Sequence, residues 1–209
     1  MSIELKNLKP SYMSESEISD SDIYLCKSLL LEDGKKYLVK ANSGHGKSSL
    51  LNFIYGSNTN FDGTINYNKF NGKNLFDYRR TEISYVFQDL RLFKGLTVFE
   101  NIQLKNCLTN YKTEDEIFDM IDKVQLSHKK NSLVDKMSLG QKQRVAIIRS
   151  LCQPFKFLLL DEPFSHLDNK NISIITKLVS SEIDKQQASL IMTSLVDTKS
   201  FAFDKILNL

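Results

Sequence analysis

Residues 41–49, Ala41-Asn42-Ser43-Gly44-His45-Gly46-Lys47-Ser48-Ser49, have the types and spacing that hold a polyphosphate. Glycines let backbone N–H groups close around an anion. A helix starting at this point adds its unpaired N–H groups and the positive end of its dipole. Lys47 then reaches the β- and γ-phosphates of a nucleoside triphosphate, and the Ser48 hydroxyl ligates Mg²⁺. Asn42, Ser43, Gly44, His45, Gly46, Lys47, Ser48 and Ser49 are therefore the nucleotide-binding candidates. The strict pattern opens on glycine, and here that position is Ala41, whose methyl group is tolerable if φ is negative.

A second group complements the first. Leu158-Leu159-Leu160-Asp161-Glu162-Pro163 reads as a buried strand that ends in two carboxylates. An acidic residue there holds Mg²⁺ through water. Glu162, beside it, is placed to polarise an attacking water as a general base. Between the two groups lies Met137-Ser138-Leu139-Gly140-Gln141. Ser138 followed by Gln141 is a capping-box pattern. The bland reading is a capped helix; the sharper one is a helix start aimed at a phosphate held by another subunit.

These residues need strands and helices to place them. Tyr37-Leu38-Val39 before the loop is strand-like, and Leu50-Leu51-Asn52-Phe53-Ile54 after it is helical. Ile3, Leu5 and Leu8 suggest an opening strand, residues 10–22 a polar loop, and Ile23 to Leu31 a strand ended by Asp33-Gly34. An alternating run, Thr64 to Tyr67, follows Asp62-Gly63, and Ile83 to Phe87 is a buried strand candidate. From about 97 to 153 the character is helical, with Ile117, Phe118, Ile121 and Val124 at helical spacing and a second stretch from Leu139 to Leu151. Asn169 to Lys185 reads as a helix, and Ser189 to Thr193 as a strand. Strands alternating with helices imply a parallel sheet.

The bulk properties exclude several classes. A chain of 209 residues builds one sizeable core. A net charge of +3, scattered along the chain, gives no case for nucleic acid. No apolar run approaches the roughly 18–20 residues of a membrane helix, and Met1 to Lys6 has no signal-peptide pattern. A cytoplasmic location is expected, with any membrane role supplied by a partner. Cys26, Cys107 and Cys152 are isolated, which fits a reducing compartment and buried apolar thiols.

Taken together, the chain resembles the nucleotide-binding subunits of ATP-binding cassette (ABC) transporters along essentially its whole length. The motif order matches: the phosphate loop, then Val86-Phe87-Gln88-Asp89 like the Q-loop, then Met137 to Gln141 like the LSGGQ signature. Leu160-Asp161-Glu162-Pro163 is like Walker B and Ser165-His166-Leu167-Asp168 like the D-loop. Leu92 to Asn101 is similar to the segment after the Q-loop. The resemblance implies an α/β P-loop NTPase core with a mostly parallel sheet, an N-terminal antiparallel β subdomain and an inserted helical subdomain. The expected division is one domain, 1–209, with core 1–96 and 154–209 and helical subdomain 97–153. No appended C-terminal module is expected after the position of Ser194.

The resemblance also implies the mechanism. Two cassettes, identical or not, would sandwich two ATP molecules and drive integral membrane subunits from the inner face of the membrane. Lys47 and Ser48 would bind phosphate and Mg²⁺, and Asp161 and Gln88 would complete the metal site. Gln88 would also sense the γ-phosphate, Glu162 would be the base, and Asp168 would bridge the dimer. Ser138, Gly140 and Gln141 would serve the opposite nucleotide. Adenine would stack on an aromatic residue near the N-terminus, Tyr12 first and Tyr24 behind it.

Three positions depart from the family: Ala41 in the phosphate loop, Leu139 in the signature, and Ser194 where the switch histidine belongs. No histidine occurs after His166. Serine is shorter and uncharged, and Glu162 is retained, so the resemblance implies a working ATPase that is slower if Ser194 does not reach the γ-phosphate. His45 and His166 read as tolerated side chains at variable positions. The rivals are an ATP-gated dimer clamp with little turnover, and a soluble cassette ATPase acting on nucleic acid or ribosomes. Proteins of the second kind usually carry two cassettes or large insertions.

Overall fold

A computed structural model describes residues 1–42, 44–68, 74–195 and 200–209. Its centre is a five-stranded sheet built from β3 (Lys36–Lys40), β5 (Ile83–Val86), β6 (Phe157–Asp161), β7 (Ser189–Ser194) and β8 (Lys205–Asn208). Their order is β5-β6-β7-β3-β8, and every neighbouring pair is parallel. A second, three-stranded antiparallel sheet is formed by β1 (Ser2–Pro10), β2 (Ser28–Leu31) and β4 (Phe61–Asn68), in the order β2-β1-β4.

Both faces of the parallel sheet are covered, as continuous apolar strands require. Alternate residues of β6 face opposite ways. Leu158 and Leu160 join a core with Val86, Leu190 and Met192. That core packs against α3 (Val98–Asn106), α4 (Glu114–Lys123), α5 (Leu139–Leu151) and α6 (Asn169–Gln186). Phe157 and Leu159 join the other core with Tyr85, Val39, Ile191 and β1, sealed by Leu50, Leu51 and Ile54 of α1 (Lys47–Tyr55). Thr97, Thr113 and Ser138 each close a reciprocal capping box at the start of α3, α4 and α5.

Several sequence expectations are corrected. The strand expected over 23–31 shrinks to Ser28–Leu31. The Ser21 hydroxyl accepts from the N–H groups of Ile23 and Tyr24, and this local turn takes those donors from any ladder. The strand before the Q-loop stops at Val86, one residue short of Phe87. Helix α2 (Leu75–Thr81) and edge strand β8 carry too little apolar periodicity to be read in advance. Of the three cysteines, Cys152 alone is buried, where burial pushes its thiol up to about 12; Cys26 is half-buried and Cys107 exposed. Among the described residues, no helix is long and apolar enough to cross a membrane.

Candidate active site

The phosphate loop joins β3 to α1, the strand–turn–helix order that its glycines require. Gly44 and Gly46 both have φ of 85°, a left-handed conformation that glycine adopts without cost. A Cβ on Gly46 would meet Met13 at 3.1 Å and the Tyr24 hydroxyl at 3.2 Å, whereas at Gly44 the space is open. Ala41 keeps a negative φ, so its methyl group is unstrained. Ser43, a predicted member of the loop, lies outside the described residues. Asn42, Gly44 and His45 are exposed along it.

Lys47 is buried, and its Nζ donates to the carbonyls of Ala41 at 2.8 Å and Asn42 at 3.0 Å. Tyr24 donates from its hydroxyl to the Gly46 carbonyl at 3.1 Å and is itself buried. It therefore braces the loop from beneath and has no face to offer a purine, which removes it as the second stacking candidate. Tyr12 is 56% exposed, and its hydroxyl is hydrogen-bonded to that of Ser49. It stands beside the loop with its side chain exposed.

The carboxylates come from the end of β6. Lys47 Nζ lies 3.3 Å from Glu162 Oε1, and Gln88 Nε2 lies 3.5 Å from Glu162 Oε2. The Ser48 hydroxyl donates to Gln88 Oε1 at 3.2 Å. Lys47, Ser48, Gln88 and Glu162 thus form one connected group. Strand alternation would carry Glu162 to the sheet face opposite Asp161. Its φ of 47° breaks that alternation and lets its carboxylate meet Lys47.

Asp161 is buried and held at both oxygens. Thr193 donates to Oδ1 at 2.7 Å and Tyr85 to Oδ2 at 3.3 Å. Burial, with the Asp161 charge beside it, pushes the Tyr85 hydroxyl far above its ordinary value, so it remains a donor. Sequence reading missed Thr193, Tyr85 and the bracing role of Tyr24. The available signal was that Tyr85 and Thr193 lie in strands flanking β6.

The signature residues bond locally. Ser138 accepts from Gln141 N–H at 3.3 Å and Gln141 Oε1 accepts from Ser138 N–H at 3.0 Å, so the capping reading holds. Gly140 packs on the D-loop of its own chain, where a Cβ would fall 2.6 Å from the His166 carbonyl oxygen. Leu139 is exposed at the helix start. Two residues of this helix tie it to the other motifs. Gln143 donates to the Glu162 carbonyl at 3.2 Å, and Arg149 donates to the carbonyls of Leu90 and Arg91 after the Q-loop, both at 2.7 Å. Asp168 caps α6 by accepting from Asn171 N–H at 2.8 Å, and this bond holds its carboxyl below the usual range.

A parallel sheet with a glycine loop between β3 and α1, facing two carboxylates at the end of β6, defines a P-loop nucleoside triphosphatase. The sequence model of the ABC transporter family matches residues 27–165. The chain is 30% identical over 172 residues to the lipoprotein-releasing system ATP-binding protein LolD of Treponema denticola, covering 78% of this chain and 76% of that one. It is 33% identical over 186 residues to the thiamine import ATP-binding protein ThiQ of Haemophilus influenzae, covering 88% and 86%. The methionine import ATP-binding protein MetN of Francisella tularensis is 33% identical over 193 residues, which span 87% of this chain but 54% of that relative. A dimeric ATP-binding cassette, solved in a post-hydrolysis state with ADP and Pi, superposes with a TM-score of 0.74 at 26% identity, covering 92% of this chain and 87% of that one. The chain belongs to the ABC transporter family, as an ATP-binding and ATP-hydrolysing subunit.

Proposed function

We propose that this chain powers integral membrane partner subunits by closing on a second cassette around ATP. The observation that carries the residue roles is the connected group Lys47–Glu162–Gln88–Ser48 at the mouth of the phosphate loop. On ATP binding, Lys47 turns from the Ala41 and Asn42 carbonyls to the phosphate oxygens. The loop N–H groups from Asn42 to Ser49 cradle the phosphates, and Tyr12 stacks on adenine. Glu162, freed from Lys47, accepts the proton of the attacking water, which Gln88 helps to place. The donors Ser48, Gln88 and Asp161 are oxygen ligands of the hard type that Mg²⁺ takes. Mg²⁺, when bound, neutralises charge on the β- and γ-phosphates.

Ser138, Gly140 and Gln141 would face the nucleotide of the second subunit, identical or not, and Asp168 would lie near the dimer seam. The helical segment 97–153 would act as the signature-bearing subdomain, and the chain would sit on the inner face of a membrane through its partners. LolD is named for lipoprotein release, ThiQ for thiamine import and MetN for methionine import, so the family likeness favours a transport complex without choosing its cargo.

A second reading, an ATP-gated clamp with slow turnover, rests on Ser194 at the end of β7 and on exposed Leu139. One experiment separates the two: Mg-ATP hydrolysis by the wild-type chain and by Glu162→Gln, with dimerisation followed by light scattering. Turnover lost in the variant, with ATP-dependent dimers in both, supports the transport ATPase. ATP-dependent dimers with negligible turnover in both favour the clamp. No nucleotide binding at all sinks both.

A further inference from the structure

The first carboxylate of the site is not left to find its own orientation. Asp161 and Thr193 are partners in the register of β6 and β7, and they lie on the sheet face shared with Tyr85 and α1. The Thr193 hydroxyl is 2.7 Å from Asp161 Oδ1 and 3.0 Å from the backbone nitrogen of Glu162. It donates its one proton to the carboxylate and accepts the Glu162 N–H, so its direction is fixed. The Glu162 carbonyl is held in turn by Gln143 at 3.2 Å. The Glu162 residue, at φ of 47°, is thus pinned at both ends, as a strained residue must be to persist.

We infer that Thr193 is a positioning residue for ATP hydrolysis, its hydroxyl fixing Asp161 and Glu162 as one unit, with Tyr85 holding the second Asp161 oxygen. The inference deepens the proposed site and rests on it. Asp161, so oriented, would keep its remaining lone pairs for Mg²⁺ or its water, while Glu162 keeps the left-handed backbone that returns its carboxylate to the phosphate loop. Without the hydroxyl, both carboxylates gain freedom together and one N–H loses its acceptor. Hydrogen bonds to metal-site carboxylates matter at about the 10–100-fold level in affinity or activity.

The test compares Thr193→Val, which keeps the shape and removes the hydroxyl, with Thr193→Ser, which keeps the hydroxyl, and with Tyr85→Phe. Two readouts are taken: steady-state ATP hydrolysis, and the Mg²⁺ dependence of binding of a fluorescent ATP analogue. Thr193→Val is expected to lose about 10–100-fold in kcat with KM for ATP little changed, and to need about 10-fold more Mg²⁺ for half-maximal tightening. Thr193→Ser restores both, and Tyr85→Phe falls between. A Thr193→Val chain that matches wild type in both readouts overturns the inference alone. So does a Thr193→Ser chain as impaired as Thr193→Val, since that assigns the effect to volume. A wild-type chain that binds no ATP overturns the site itself, and the inference with it.

Discussion

Two lysine–glutamate pairs in this molecule use the same chemistry for opposite ends. Lys112 and Glu182 meet at 2.8 Å with side chains 4% and 2% exposed. Lys185 at 2.9 Å takes the other Glu182 oxygen, and Glu116 lies 3.7 Å from Lys112. Every charge there has a permanent partner, so the pair ties the end of the α3–α4 connection to α6 and nothing is left to react. Lys47 and Glu162 meet at 3.3 Å, beside an exposed loop. Their other contacts are carbonyls and an amide that a phosphate can replace. A sealed ion pair resists separation, because removing one partner leaves a buried charge. A pair at the site's mouth separates when a better ligand arrives.

The largest expected effect comes from the reactive pair. Glu162→Gln should lower ATP turnover by about 100- to 10,000-fold. Its unfolding free energy should fall by less than the roughly 3–5 kcal/mol of a sealed pair, because Lys47, though buried, keeps the Ala41 and Asn42 carbonyls as acceptors. Denaturant melts beside single-turnover assays check both halves; equal losses in each would erase the distinction. The sealed pair should answer the other way. Lys112→Met should cost about 3–5 kcal/mol, with turnover per folded molecule unchanged, whereas replacing Lys112 and Glu182 together by apolar residues should recover most of that loss.

A third change sharpens what the reactive pair lacks. Ser194→His should raise turnover, by up to about 100-fold, if a donor near the γ-phosphate is what the chain is missing. Unchanged kcat would mean that the Thr193-held carboxylates suffice. The smallest effect concerns a lysine with neither kind of partner among the described residues. Burial, with Arg149 nearby, pulls the Lys105 amine down to about 8. Between pH 8 and its ordinary value near 10.5, the unfolded chain binds the extra proton, so stability should rise with pH across that window. Below pH 8 both states are protonated and the penalty is complete. Chemical melts of wild type and Lys105→Met at pH 7.5 and 10 check this, since the variant should show no such rise from this group.

Much of this arrangement was legible because short motifs carry their own mechanics. Gly44, Gly46, Lys47 and Ser48 name the loop, and the apolar run 157–160 names the strand that delivers Asp161. Capping at Ser138 followed a local rule that needs no tertiary information. What stayed hidden depends on which strands become neighbours. Thr193 touches Asp161 across 32 residues of sequence and Tyr85 does so across 76. No local spacing reports either contact. Tyr24 stood as the second stacking candidate, and only the packing of Met13 and Gly46 against it showed a buried brace.

The sheet order also sets a sequence of events during synthesis. Strand β3, which launches the phosphate loop, lies between β7 and β8 and pairs with both. Its partners are made about 150 residues after it, so the loop emerges from the ribosome long before the sheet that supports it. Until residues 189–208 have left the exit tunnel, β3 has no ladder and Asp161 has no Thr193. The phosphate loop therefore has no sheet behind it until β7 and β8 have been made.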